Sequence, residues 1–127
     1  MSKINIFGLG GLNENGKNMY VIEVDNDIFV FEAGLQYADE HTLGIDYVIP
    51  NIDYLKDNVN KIKGIFLTHG HDENIGALPD IIEDLGYPTI YGSKYTLVDT
   101  VESTNWSSSR EELAEKYHYT CFTISIT

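Results

Sequence analysis

Cysteine is almost missing from this chain. Its 127 residues hold one, Cys121. A single thiol excludes an internal disulfide framework and fits a reducing compartment, so a cytoplasmic setting is expected. Positive charge is scarce as well: 8 Lys and Arg stand against 20 Asp and Glu, a formal net charge of -12. Such a chain does not hold a polyanion through its general field, because phosphate contact is carried by Lys and Arg. Any contact with nucleic acid is then local, metal-assisted, or made by something outside these residues. On its own, the acidity serves solubility. No apolar run approaches the ~20 residues that a membrane helix needs, so no membrane role is expected. The opening "MSKINIFGLGG" has one lysine and a brief apolar run, and does not read as a secretory signal. Prolines number 3, with no Pro-rich linker, internal repeat or low-complexity tract. What remains is a chain 43% hydrophobic, long enough for one small domain with a core.

The elements come out of periodicity and turn residues. Lys3 to Gly8 reads as a strand, turned by "GLGG". Asn18 to Asp25 alternates and is rich in β-branched and aromatic residues, and Asp27 to Ala33 is its hairpin partner across Asp25–Asn26. Tyr37 to Pro50 lacks a clean period and is expected as a surface loop ending in the extended piece "YVIP". Asn51 to Asn58 supplies one or two helical turns. Ile65 to Leu67 is a short apolar strand. Pro79 then suits the first turn of a helix "PDIIEDL", with Gly86 past its end. "PTIYG" is another short strand, and Ser93 to Val101 is expected to be helical. "NWSSS" breaks the chain, and Ser108 with Glu111 forms a capping box opening "REELAEKY". "CFTISIT" alternates like a strand. It suits either a sheet continued by missing residues or a plain edge strand. Strands alternating with helices after a β-rich start predict an α/β layered domain, helices packed on a mixed sheet.

The chemistry is concentrated in "LTHGHDEN". An apolar strand delivers His69 and His71, with Gly70 between them permitting the bend that lets both imidazoles reach one cation. Neutral imidazole is the commonest nitrogen ligand for zinc-like ions, and Asp72, Glu73 and Asn74 bring oxygen donors alongside. Mixed N/O sites of this kind suit a divalent ion acting as Lewis acid or hydroxide generator. The carboxyl end of a strand in an α/β sheet is where such a loop belongs. Alone, His-x-His is more often an ordinary loop pair; the strand before it and the small-residue "IGAL" after it favour the metal reading.

"LTHGHDENIGALPDII" resembles the first metal-binding signature of the metallo-β-lactamase superfamily, His-x-His-x-Asp-His. More narrowly it is similar to the ribonuclease J version, close to T-H-G-H-x-D-H-I-G-x-x-P. "GLGGLNENGKNMYVIEVD", "FEAG" (where the family usually has Asp-Ala-Gly) and "LGIDYVIPNIDYL" carry the same resemblance. It is dense over residues 3–96, and 97–127 diverge. The resemblance implies the N-terminal half of an αββα sandwich, so that the chain is a partial domain over 1–127. It also implies a two-metal nuclease that cuts RNA internally and from the 5′ end, with an inserted RNA-clamping domain and further ligands downstream. Residue by residue, His69 and His71 match the ligands of the first metal. Glu73 falls on the aspartate and Asn74 on the third histidine, both ligands of the second metal. Glu73 keeps a carboxylate with one more methylene, while Asn74 offers a neutral amide oxygen, a poor substitute for imidazole. Asp72 occupies the non-ligand position and is available for recruitment. Glu32 replaces an aspartate that commonly supports the site.

The expectation is therefore at most one weakly held zinc or other divalent ion, at His69 and His71 with Glu73, and negligible activity for the chain alone. RNA is the implied substrate. The alternative is a non-catalytic member acting by association, with a copy of itself or with an active ribonuclease J subunit, because half a sandwich exposes the apolar face that the other half covers. His41 and His118 are expected as loop or strand-start residues. Trp106 and the nine tyrosines offer faces on which bases stack, but their scatter over strand positions favours packing in core and sheet. Cys121 lacks the surroundings of a nucleophile. "GLGGLNENG" fails the phosphate-loop pattern, since Lys17 is followed by Asn18; its glycines suit a tight loop near the site's rim.

Overall fold

A computed structural model describes residues 1–41, 43–103 and 119–121 of the chain. Their backbone forms a six-stranded mixed sheet. The first strands are β1 (Ile4–Gly10), β2 (Met19–Val24) and β3 (Asp27–Phe31), paired antiparallel in that order. The sheet then continues in parallel through β6 (Ile62–Phe66), β7 (Ile90–Gly92) and β8 (Tyr119–Cys121). Alternation sets the register of the hairpin: Val21 faces Val30 and Ile22 faces Phe29. Asp25 makes the tight turn possible at φ 54. The strand Ile65 to Leu67 expected from the sequence is longer and begins at Ile62, with Lys63 and Gly64 inside it. A side chain at Gly64 would stand 2.5 Å from the Tyr91 ring, which lies over that bare backbone. β1 likewise runs on through "GLG", which had read as a turn, and closes with an irregularity between Gly8 and Gly10.

The helices are short. They are α1 (Asp53–Lys56), α2 (Asp72–Ile75), α3 (Leu78–Ile81) and α4 (Lys94–Ser103). Leu55, Ile75, Leu78, Ile81 and Leu97 from these helices, with Leu85 from the turns after α3, join Met19, Val21, Ile28, Val30, Ile65 and Ile90 of the sheet in one buried cluster. Each such side chain contributes about 1.5–3 kcal/mol on leaving water. α3 is shorter than the helix expected over "PDIIEDL": it ends at Ile81, and turns carry the chain on to Gly86. Gly86, at φ 72, donates to the Glu83 carbonyl at 3.0 Å, and Tyr87 donates to Ile82 at 3.1 Å. That pair of bonds is a Schellman cap. All the helices that enter the cluster cover one face of the sheet. The opposite face carries Tyr20, Ile22, Phe29, Phe31, Phe66 and Tyr91, half-buried, with Phe31, Phe66 and Tyr91 stacked at centroid distances of 5.3 and 4.6 Å.

Two further expectations are corrected. The stretch Tyr37 to Pro50 is not merely a loop: β4 (Gln36–Tyr37) and β5 (Tyr47–Val48) pair as a small antiparallel ribbon. Two-residue strands have no period to detect. The tyrosines are not all packing residues either, since Tyr37 is 63% exposed and Tyr95 82%. The capping box at Ser108 and Glu111, Trp106, His118 and most of "CFTISIT" lie outside the described residues. Among the described residues no helix is long and apolar enough to cross a membrane.

Candidate metal centre

The parallel strand β6 ends at Phe66, and the next residues carry the chain off the sheet's carboxyl edge. The chain bends at Thr68, His69 and Gly70 have no regular structure, and His71 (φ -79, ψ 151) stands at the N-cap position of α2. The "DEN" stretch is thus a single helical turn and not an open loop. The structure brings His69, His71 and Glu73 together, their ligand atoms all within 4.8 Å of one another. The two imidazoles stand edge to face, centroids 4.6 Å apart at 83°, and His71 Nδ1 is 3.5 Å from Glu73 Oε1. Thr68 Oγ1 lies 2.8 Å from His69 Nδ1. When Nδ1 carries the proton and donates to that hydroxyl, Nε2 is free to bind a cation.

This donor set fits one divalent ion. Ligand atoms about 2.0–2.2 Å from a tetrahedral centre stand roughly 3.3–3.6 Å apart, so exposed rings and a half-exposed carboxylate already within 4.8 Å close by small side-chain rotations. Among the described residues it is the one such group of three. The other two residues of the signature are placed differently. Asp72 is taken by the Tyr37 hydroxyl, which donates to Oδ2. That bond and the carboxylate's charge raise the Tyr37 pKa above its ordinary value. Asn74 is 5% exposed, and its Oδ1 is buried without a hydrogen-bond partner.

The turn is clamped by backbone from two other segments. The carbonyls of Asp72, Glu73 and Asn74 accept from Leu35 (3.0 Å), Asn18 (3.0 Å) and Ala33 (2.7 Å). Gly34 is required here, since a Cβ at that position would sit 1.6 Å from the Glu73 carbonyl oxygen. This gives "FEAG" and "GKN" a shared physical role. Glu32, held at φ 69, accepts the Thr68 N–H through Oε1 at 2.8 Å, and its Oε2 is buried without a partner. It thereby fixes the residue before the first histidine. A side chain at Gly70 would meet Asp99 Oδ2 of α4 at 2.4 Å. Sequence reasoning missed Thr68, Tyr37 and Asp99. The hydroxyl next to His69 was the only one of these with a local signal. His41 is an exposed loop residue, as expected, 4.0 Å from Glu40.

A ribbon closes the near side. Tyr37 and Tyr47 are cross-strand partners in β4–β5. The Tyr47 hydroxyl donates to Asp80, 3.1 Å from each carboxylate oxygen, so the two tyrosines tie the ribbon to either end of the α2–α3 segment. Between ribbon and turn lies an open cleft of about 280 Å³ lined by Asn15, Gly16, Leu35, Gln36, Tyr37 and Glu73. The glycine-rich segment does reach the rim of the site, as its composition suggested.

The description that matches this chain is "Metallo-beta-lactamase superfamily", over residues 12–120. Ribonuclease J2 of Bacillus subtilis (strain 168) is 53% identical over 94 residues, 74% of this chain and 17% of that protein. Ribonuclease J 2 of Staphylococcus aureus (strain NCTC 8325 / PS 47) is 51% identical over the same shares of both. The chain therefore spans about a sixth of the length of these relatives. The solved structure of human tRNase Z, short form, superposes with a TM-score of 0.49 at 18% identity, covering 95% of this chain and 44% of that one.

Proposed function

The chain belongs to the metallo-β-lactamase superfamily and, within it, to the ribonuclease J family, and on that premise we propose that it is part of a metal-dependent RNA hydrolase. Members of the superfamily typically bind divalent metal, and the observation that carries the reading is the convergence of His69, His71 and Glu73 at the carboxyl end of β6. In this reading those three residues hold one ion, zinc or a similar divalent cation. When bound, the ion supplies a polarised water and offsets charge on the scissile phosphate. The rest is done by the chain itself. Thr68 orients the His69 ring, Glu32 fixes the Thr68 backbone, and Leu35, Asn18 and Ala33 hold the turn that presents Glu73.

Asn74 is buried and contributes no imidazole, so the site of this chain is a one-ion site and weakly held. The chain alone then has negligible RNA cleavage. Elemental analysis after dialysis against a mild chelator tests this: at most one equivalent is expected, and two retained equivalents overturn it. RNA cleavage by the purified chain that is lost in His69→Ala would equally overturn the inactivity. The setting we propose, from the lone cysteine, is cytoplasmic.

A second reading is favoured by the sheet face that no described helix covers. Phe29, Phe31, Phe66 and Tyr91 form an aromatic strip on the side where the described residues place no helix, and a contiguous apolar face of this kind is a place for association. Here the chain acts as a non-catalytic subunit, paired with itself or with an active ribonuclease J. Sedimentation at micromolar concentration tests it: Phe66→Asp is expected to shift associated species toward monomer, and a strictly monomeric wild-type chain that binds no ribonuclease J removes this reading.

A further inference from the structure

The glycine-rich segment holds the one Asn-Gly pair of the sequence, Asn15–Gly16. We propose that Asn15 is a site of spontaneous covalent modification: it cyclises onto Gly16 to give aspartate and isoaspartate, and the isoaspartyl chain loosens the clamp on the Glu73 turn.

The chemistry needs water and no oxidant. The Gly16 backbone nitrogen loses its proton and attacks Asn15 Cγ. The new N–Cγ bond closes a five-membered succinimide, and the side-chain nitrogen leaves as ammonia with that proton. Water then opens the ring at either carbonyl. Breaking the bond from Gly16 N to Cγ leaves aspartate. Breaking the bond from Gly16 N to the Asn15 carbonyl carbon leaves isoaspartate, with the chain now running through Cβ and Cγ. Either route adds one carboxylate to a chain whose formal net charge is already -12.

The surroundings single out this asparagine. Asn15 is exposed, and the bond made to it, from Gln36 Nε2 at 2.9 Å, goes to the backbone carbonyl and leaves the side-chain amide to turn. The attacking nitrogen belongs to a glycine, so no Cβ crowds the approach. Among the described residues no backbone acceptor takes the Gly16 N–H. Other asparagines are held or covered. Asn51 accepts from the Asp53 N–H at 2.9 Å, Asn58 donates to the Tyr54 carbonyl at 2.8 Å, and Asn74 is buried. Asn18 is followed by Met19, which is fully buried.

The consequence follows from where the segment goes next. Lys17 donates to the Leu35 carbonyl at 2.9 Å, and Asn18 donates to that of Glu73 at 3.0 Å. Gly16 is buried, and even a Cβ there would press on Gln36 Cβ at 3.0 Å. Isoaspartate inserts one more backbone carbon just before this tight point, about 1.5 Å of added chain. Gly16 has no room to take up that length, so Lys17 and Asn18 move away from their acceptors.

The test incubates the freshly purified full chain at mildly alkaline pH, maps its peptides by mass spectrometry, and labels isoaspartate with isoaspartyl methyltransferase. A gain of one mass unit is expected at Asn15 well ahead of every other asparagine, with isoaspartate among the products, and no such gain at that position in Asn15→Gln. The folded chain should react within about tenfold of the urea-unfolded chain, as a loop with little local protection does. Stronger protection, or reaction spread evenly over the asparagines, overturns the assignment. In the isoaspartyl chain, separated by ion exchange, the Lys17 and Asn18 amides are expected to exchange with deuterium faster, while those of Val21 and Val30 do not change. Asn15→Asp, which has the charge without the added carbon, keeps the exchange of the wild type. Unchanged exchange at Asn18 in the isoaspartyl chain overturns the loosened clamp. Cobalt binding should weaken on the order of fivefold, the effect of losing one hydrogen bond; this arm rests on the reading of His69, His71 and Glu73 as the metal centre. If the fresh wild type binds no cobalt, the metal reading falls, and the exchange at Asn18 still decides this proposal.

Discussion

Replacing Gly34 by alanine attacks the clamp on the metal turn without touching a ligand. The added Cβ would stand 1.6 Å from the Glu73 oxygen and 2.2 Å from its carbonyl carbon, both backbone atoms, so no rotamer change relieves it. Contacts of a real Cβ essentially never fall below 3.0 Å, and one backbone must retreat by more than an ångström. The bonds at stake are the three that Leu35, Asn18 and Ala33 make to the turn at 2.7–3.0 Å. A displacement of that size takes them past hydrogen-bonding distance. Three bonds at about 1 kcal/mol each, plus roughly 1–3 kcal/mol for forced overpacking, give a loss of about 4–6 kcal/mol. That is a large part of the 5–15 kcal/mol typical of a domain. Urea unfolding followed by circular dichroism measures it, with Gly92→Ala as control, where the nearest atom is at an ordinary 3.5 Å. Cobalt titration on the folded fraction should show weaker binding in Gly34→Ala, since the turn presenting Glu73 has moved. If the two alanine variants are equally stable, the clamp is not what holds this turn.

Other expectations concern single groups. Tyr54→Phe is expected to cost about 1 kcal/mol, because the hydroxyl that donates to the largely buried Glu23 is lost. That bond, with burial and the charge of Glu23, raises the Tyr54 pKa above 10.0. The raised value means that the contribution is present below the unfolded pKa and fades as pH rises through the folded one. The stability gap between wild type and Tyr54→Phe should therefore shrink as pH rises above about 10; a gap that widens over that range refutes the assignment. Asn74→Leu should change stability by less than about 1 kcal/mol, because the removed oxygen has no partner to lose. A loss above 2 kcal/mol in urea unfolding would show that Oδ1 is engaged after all. Metal affinity should weaken on acidification, because ligation requires neutral imidazole. An affinity that does not change between pH 7.5 and 5.5 would exclude His69 and His71 as ligands.

How much of this was legible depends on how local each cause is. The β2–β3 hairpin could be read because alternation and the Asp25–Asn26 turn lie within a dozen residues of each other. The cap at Gly86 was equally local. His69, His71 and Glu73 sit within five residues, so their convergence needed only a strand end and a turn. What escaped is made across the chain. Tyr37 meets Asp72 across 35 residues, Tyr47 meets Asp80 across 33, and Glu32 meets Thr68 across 36. None of these pairs has a spacing that a periodicity argument can see. β6 reads short in the sequence because Lys63 and Gly64 look unlike a strand. Lys63 in fact extends to an ion pair with Asp27, and Tyr91 fills the space above Gly64. Asn74 shows the limit most clearly. At its position in the signature the residue type alone spoke of a weakened ligand, whereas burial to 5% exposure separates it from the exposed histidines of the cluster. The change from imidazole to amide thus affects where the side chain goes as well as what it can bind, and both support the one-ion site that we propose.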